Sequence, residues 1–484
     1  MDNITPPAVL KQVWLAMTAS LGYLTIGLVR GFSSPAIPSM ESNNPELIPH
    51  HQALSWISAV PPLGALVGSL FSGAMMQHLG RKRTLIISSP MFAASWLFIA
   101  YSTDWLHLVT ARALTGLCVG IVLPSAQIYV SECSHPKIRG MVGSFPALFM
   151  AGGILMAYIL GSFLLWNHLA MVSAAFPIIL LFLLIPLPES PTWLRCRGKM
   201  KEADQAMSWL HREPFTTNIE MFTVNSPKEA VTSLPKSKKS LALSKAILKG
   251  KFSRETLFRG PVLLPFGLVI AIMIFQQISG IDSIIFYTVS IFHISGSTLG
   301  EYEATIFVGA VQVVATLLSL FLTDWYGRKV LLLISGSIMA IAMTALGTYF
   351  YLYERGRANS FGLLPLLSQL AFITGFSIGF CNIPFILMGE LLPIAHRSFL
   401  SSIAGACNLG AMFLVIKTYP DITQWLGPEG AFWIYAVLCF TSCIFVHFLL
   451  PETKGKSLEE IEAYFESRFK DKKEDPVAQV EQNK

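Results

Sequence analysis

Long apolar runs separated by short polar connections fill most of the chain. They lie near residues 14–37, 54–76, 84–102, 107–130, 141–165, 167–187, 260–292, 303–323, 329–352, 363–388, 398–419 and 428–450. A helix needs about 20 apolar residues to cross the hydrocarbon core of a bilayer, and each run is of roughly that length. Twelve runs in two groups of six predict an all-α membrane protein with twelve transmembrane helices in two pseudo-symmetric six-helix bundles. Proline and glycine inside the runs fit that reading, because neighbouring helices can satisfy the backbone groups they free.

The connections differ in charge. Arg81-Lys82-Arg83, Lys137, Arg139, Arg328-Lys329, Arg397 and the segment 189–260 fall on one side of the expected bundle. The opposite connections, near 38–52, 101–106, 164–168 and 293–302, carry no lysine or arginine; Arg355 and Arg357 are the exceptions. Positive charge is retained in the cytoplasm, so both termini and the central loop are expected there. The resulting division is a cytoplasmic N-terminus over 1–13, a six-helix bundle over 14–188, a linker over 189–259, a second bundle over 260–451 and a cytoplasmic tail over 452–484. Within the linker, Ala203, Ala206, Met207 and Leu210 recur at helical spacing between Lys199 and His211, which predicts a short amphipathic helix. Residues 214–240 and the tail from Pro476 read as polar and unstructured.

Composition narrows the class. Charged residues make up 13% of the 484 residues and apolar ones 53%, with a mean hydropathy of +0.56. Soluble proteins carry about 25% charged residues. The net charge of +6 resides in the connections and is no nucleic-acid footprint. Of seven cysteines all but Cys196 lie in the apolar runs or, for Cys133, at the end of one, so no disulfide framework is expected. Met1–Gln12 is polar and leads into a run of spanning length, which is not the form of a cleavable signal. Without a phosphate loop, metal-ligand spacing or nucleophile constellation, neither an enzyme nor a cofactor is expected.

Three landmarks occur twice. Gly80-Arg81-Lys82 recurs as Gly327-Arg328-Lys329, the pair Glu132 and Arg139 recurs as Glu390 and Arg397, and Pro188-Glu189-Ser190 recurs as Pro451-Glu452-Thr453. Their offsets are 247, 258 and 263 residues. Two equivalent halves around a central site form a transporter plan, in which one half rocks against the other. The repeated charges are expected to clamp the halves together at their cytoplasmic ends, since Arg–carboxylate pairs are strong and directional. The alternative is that they serve as interfacial anchors.

The seventh run carries the chemistry. Gln276, Gln277, Ser279, Gly280 and Asp282 interrupt an otherwise apolar stretch. Each polar group there needs an internal partner or a wet cavity, and Ser-Gly loosens the helix. Such a breakable polar segment points to a binding site; the alternative is a helix contact made by small and amide residues.

These features, with Arg112-x3-Gly116-x3-Gly120, Pro188-Glu189-Ser190-Pro191, Asp324-x2-Gly327-Arg328-Lys329 and Pro451-Glu452-Thr453-Lys454-Gly455, resemble the sugar porter family of the major facilitator superfamily over Trp14 to Ile461. Ser34-Pro35-Ala36, Gly152-Gly153-Ile154-Leu155, Lys417-Thr418 and Lys456-Ser457-Leu458 are similar to its insect facilitated trehalose transporter branch. The resemblance implies the major facilitator fold and passage of a small-molecule sugar, trehalose or a hexose, by alternating access in the plasma membrane. It assigns Gln276, Gln277, Asp282, Gln312, Asn408, Asn382 and Phe385 to the substrate. It assigns Arg81, Glu132, Arg139, Asp324, Arg328, Glu390 and Arg397 to gating. A monomer in the lipid bilayer is expected. Amides suit sugar hydroxyls because they donate and accept without carrying charge.

Ala147, Ser377, Leu409 and Met412 stand where hexose carriers have polar or aromatic groups, which makes the second half of the site less polar. Gln77 replaces an aspartate of the gating motif. Val29 stands at the aspartate of proton-driven members, which favours a uniporter over a proton symporter. Two intramembrane charges, Arg30 and Asp282, occupy equivalent runs of the two halves and are expected to pair near the outer gate, each relieving the other's burial cost. The alternative has Arg30 reaching the interface and Asp282 protonated. Those charges also leave open an organic-ion carrier, and the scaffold leaves open a non-transporting nutrient sensor.

Overall fold

The computed structural model describes residues 6–135, 138–211, 260–296, 299–357, 361–393, 397–456, 460–465 and 467, and among them it contains helices and no strand. The first six spans are Pro6–Asn43, His51–Leu79, Arg81–Ala100, Trp105–Cys133, Phe145–Phe163 and Trp166–Leu184. The seventh is split into Gly260–Ile278 and Ile281–Ser295, and the tenth into Leu364–Ile378 and Ile383–Leu391. Between them lie the eighth, Glu301–Tyr326, and the ninth, Arg328–Glu354.

Among the described residues, eleven helical segments are long and apolar enough to cross a membrane, against twelve expected. The difference lies at the C-terminal end, where Arg397–Leu449 forms one 53-residue element. At ~1.5 Å per residue it would be about 80 Å long, more than twice the ~30 Å of hydrocarbon. Gly427, at φ 73° and ψ 166°, turns the chain just ahead of Pro428, so this element contains the eleventh and twelfth spans.

Small residues let the spans approach. A Cβ on Gly116 would lie 2.1 Å from the Pro61 carbonyl oxygen, and one on Gly120 2.1 Å from that of Ala65. The fourth span therefore touches the second backbone to backbone, as small-xxx-small contacts allow. Gly27 and Gly153 do the same for the first and fifth spans. Each half has its own apolar core, and the core of the second half also takes in Ile37, Ala59, Ile154 and Tyr158 of the first.

The amphipathic linker helix is present as Met200–His211, with Ala203, Ala206 and Leu210 buried. It docks under the first span through Lys11, whose ammonium donates to the Trp209 carbonyl at 3.1 Å, and through a Trp14–Trp209 ring contact at 6.0 Å. The segment 214–240 and the tail from Pro476 lie outside the described residues.

Candidate functional site

The seventh span breaks at Gly280, whose φ of 90° is left-handed and where a Cβ would lie 2.5 Å from the Tyr435 ring. Just before the break, Gln276 and Gln277 are buried, at 3% and 6% exposure, so both face protein rather than lipid. The Gln276 amide donates to the carbonyl of Phe380 at 2.6 Å and to that of Cys381 at 3.3 Å, in the gap of the tenth span. Two broken helices thus face each other, and the carbonyls freed by one gap are taken up by the amide at the other.

Asn408 of the eleventh span ties this cluster together. Its Nδ2 donates to Gln276 Oε1 at 2.8 Å and to the Met273 carbonyl at 2.9 Å, while its Oδ1 accepts from Gln277 Nε2 at 3.0 Å. Gln277 Oε1 and Gln312 Oε1 remain buried acceptors without a partner among the described residues. Asn382 is half-buried and donates to Ser319 Oγ at 3.3 Å in the eighth span. Phe385 is 47% exposed. Ser377 is buried with no partner for its hydroxyl, Met412 is buried, and Leu409 is half-buried.

Two residues beyond the break, the structure brings Asp282 onto Arg30 of the first span, where the carboxylate Oδ1 accepts from the guanidinium. Asp282 is fully buried and the Arg30 side chain is 19% exposed. Other contacts join the halves on the same side of the amides. Tyr158 donates to the Ile285 carbonyl at 2.9 Å, Ser34 Oγ accepts from the Val289 N–H at 3.0 Å, and Lys417 donates to Ser55 Oγ at 2.7 Å while lying 5.4 Å from the Trp56 ring centre. Farther toward the end opposite the basic one, a cavity of about 650 Å³ opens between the halves, bordered by Ile37, Glu41 and Leu165 on one side and Tyr287, His293 and Tyr419 on the other.

At the basic end, Arg81 pairs with Glu132 at 2.8 Å and Arg328 with Glu390 at 3.0 Å. Both pairs close within a single half. The clamp expected between the halves is therefore not what these four residues form here, because each arginine finds its carboxylate on the neighbouring span of its own bundle. The side chains of Arg139, Asp324 and Arg397 lie outside the described residues. Gln77 offers its backbone carbonyl to Trp193 at 3.0 Å and to Arg197 at 2.7 Å.

Several residues here carry more than their sequence context indicated. The Glu189 carboxylate accepts from the backbone N–H groups of Arg81 and Lys82, both at 2.9 Å, and Glu452 accepts from those of Arg328 and Lys329 at 3.1 and 3.0 Å. A carboxylate so placed satisfies the orphan donors of a helix start and opposes its dipole. Ser190 donates to Glu132 and Thr453 to Glu390, the latter at 2.6 Å. Arg112 is fully buried and donates to Ser33 Oγ at 2.6 Å and to the Val29 and Ile57 carbonyls, both at 3.3 Å. The doubled Pro-Glu-Ser/Thr motif was the signal available for the first group; nothing local announced the partners of Arg112.

A family model described as sugar (and other) transporter matches residues 15–465. A facilitated trehalose transporter of Apis mellifera ligustica is 36% identical over 462 residues, which are 95% of this chain and 89% of that protein. Another, of Anopheles gambiae, is 38% identical over 460 residues, 94% of this chain; the match spans 56% of that relative's length. The inward open conformation of a xylose transporter from E. coli superposes with a TM-score of 0.72 at 23% identity, covering 93% of this chain and 98% of that one. At that identity the likeness is one of fold.

Proposed function

The chain belongs to the sugar (and other) transporter family, and from that premise we propose that it carries trehalose across the plasma membrane by facilitated diffusion. The observation that supports this most is the amide cluster of Gln276, Gln277 and Asn408, with the Gln277 and Gln312 carbonyl oxygens left free at mid-depth. A neutral polyol can satisfy those acceptors with its hydroxyls, and a solute lacking them would leave them unpaired. Asp282, Asn382 and Phe385 complete the proposed substrate contacts.

In this reading the basic end is cytoplasmic, with both termini there, and the bundles 14–188 and 260–451 rock as two bodies joined by the linker 189–259. Arg81, Glu132, Arg328 and Glu390 stiffen the cytoplasmic ends of the two bodies during that motion, with Arg139, Asp324 and Arg397 as further gating residues. Val29 gives Arg112 only a backbone carbonyl, so no carboxylate stands beside that buried arginine at position 29 to exchange a proton, which supports uniport. The carrier acts as a monomer.

Uptake into proteoliposomes of radiolabelled trehalose, glucose, fructose, a polyol and a charged organic solute, with and without a pH gradient, tests the proposal. Saturable trehalose entry indifferent to the gradient is expected. Entry of the charged solute alone, or accumulation driven by the gradient, would overturn it.

A further inference from the structure

The Arg30–Asp282 pair joins the two halves between the amide cluster and the outer cavity. Asp282 comes five residues after Gln277 of the amide cluster and five before Tyr287, which borders the outer cavity, and Arg30 comes seven residues before Ile37 on the same border. Within Ile281–Ser295, ~1.5 Å of rise per residue puts Asp282 about 7 Å from Tyr287, and the Gly280 break separates it from the amides. The pair therefore stands between the outer cavity and the amide cluster.

We infer that Arg30 is a positioning residue for transport: pairing with Asp282 plugs the passage between the outer cavity and the amide cluster, and a polyhydroxyl solute opens the plug by supplying its own hydroxyls to the two charges. The inference rests on the sugar reading above. Its basis is that the partners belong to opposite halves, 252 residues apart, so the outer ends cannot separate without parting them. Arg30 is the hydrogen-bond partner described for the Asp282 carboxylate, whose Oδ2 is buried with none, and Arg30 Nε is likewise buried and unpartnered. Parting the pair strands a carboxylate and a guanidinium in a low-dielectric seam. A hydroxyl donates to the first and accepts from the second, so a vicinal diol replaces the lost contact on both sides. Loaded carrier then opens outward faster than empty carrier.

The test follows labelling of the native Cys381, whose carbonyl accepts from Gln276 on the inner side of the pair, by a membrane-impermeant maleimide added from the outer face, with Cys381→Ser as blank. In an otherwise unaltered carrier, labelling is expected to be slow and to accelerate at least threefold on adding trehalose. In the Arg30→Ala/Asp282→Asn double variant it is expected to be at least fivefold faster without sugar and indifferent to sugar, while Arg30→Lys keeps the sugar response. A monodisperse gel-filtration peak establishes that each variant is folded. Labelling of the double variant at the unaltered rate, or a sugar response that survives in it, would overturn the inference. The arm without solute decides the plug by itself, so a carrier that proves to move no sugar removes the proposed function and the role of the hydroxyls but not the outcome of that arm.

Discussion

Glu189 and Glu452 hold equivalent places 263 residues apart, each accepting the first backbone N–H groups of a span, those of Arg81 and Lys82 in one half and of Arg328 and Lys329 in the other. The glycine before each cap, Gly80 at φ 103° and Gly327 at φ 87°, has the left-handed backbone that lets the chain turn there, and a Cβ at either would lie 2.5 or 2.9 Å from the carboxylate. Burial alone would raise the Glu452 carboxyl. The N–H groups of Lys454, Arg328, Lys329 and Thr453 outweigh it and hold the group below its ordinary 4.5.

A depressed carboxyl stabilises the fold above its ordinary value and loses that contribution as pH falls through the lower folded-state value. Glu452→Gln should lower the unfolding temperature at neutral pH by a few degrees, for about 1 kcal/mol of lost capping. It should also flatten the fall in stability below about pH 4.5. Thermal unfolding in detergent across that range measures both effects. An unaltered acid slope in the variant would show that the cap does not titrate as described.

Gln277→Ala removes a free acceptor and the hydrogen bond to Asn408 together. One neutral hydrogen bond is worth about 1 kcal/mol, so KM for trehalose should rise roughly five- to tenfold with little change in protein amount. Asn408→Ala, which undoes three bonds, should cost more. Initial-rate uptake at varied sugar concentration reads this directly, and an unchanged KM in both variants would remove these amides from the site.

Gly120→Ala drives a methyl to within 2.1 Å of the Ala65 carbonyl oxygen, whereas Gly73 has nothing within 4 Å of its Cβ direction. The first change should destabilise by about 1–3 kcal/mol through overpacking. Gly73→Ala should be neutral or slightly stabilising, because alanine is the better helix former. Unfolding temperatures in detergent compare the two, and equal values would contradict the close approach of the second and fourth spans.

Arg81→Gln and Arg328→Gln should impair the carrier to a similar degree, since each leaves one glutamate with a hydroxyl partner, Ser190 or Thr453, in place of an ion pair. Losing a charge-assisted bond in a partly buried place costs about 1.5–3 kcal/mol. Uptake should fall about tenfold or more in each. A large effect on one side only would show that the halves do not share the load.

What the chain discloses in advance follows from which forces act locally. Twelve runs of spanning length and a threefold echo between halves depend only on hydrophobicity and spacing, so the bundle and its repeat could be read directly. Gln276 and Gln277 stood out because amides are costly in hydrocarbon. The partnerships were harder to see. That Arg81 would meet Glu132 inside its own half depends on which spans lie side by side, and no periodicity carries that information. Glu189 and Glu452 bind backbone N–H groups, which every non-proline residue has, so no particular side chain marks their targets. The join at Gly427 was legible as a break in hydropathy, although the helix runs almost through it.

Because the Arg81–Glu132 and Arg328–Glu390 pairs each close within one half, parting the halves at the basic end would break neither bridge. The opposite rim, by contrast, is stitched by Arg30, Ser34, Tyr158 and Lys417. Among the described residues, these ties between the halves gather at one fastened rim. Each cycle's resistance then collects on the fastened rim, and a mutational search for faster or slower turnover should concentrate there.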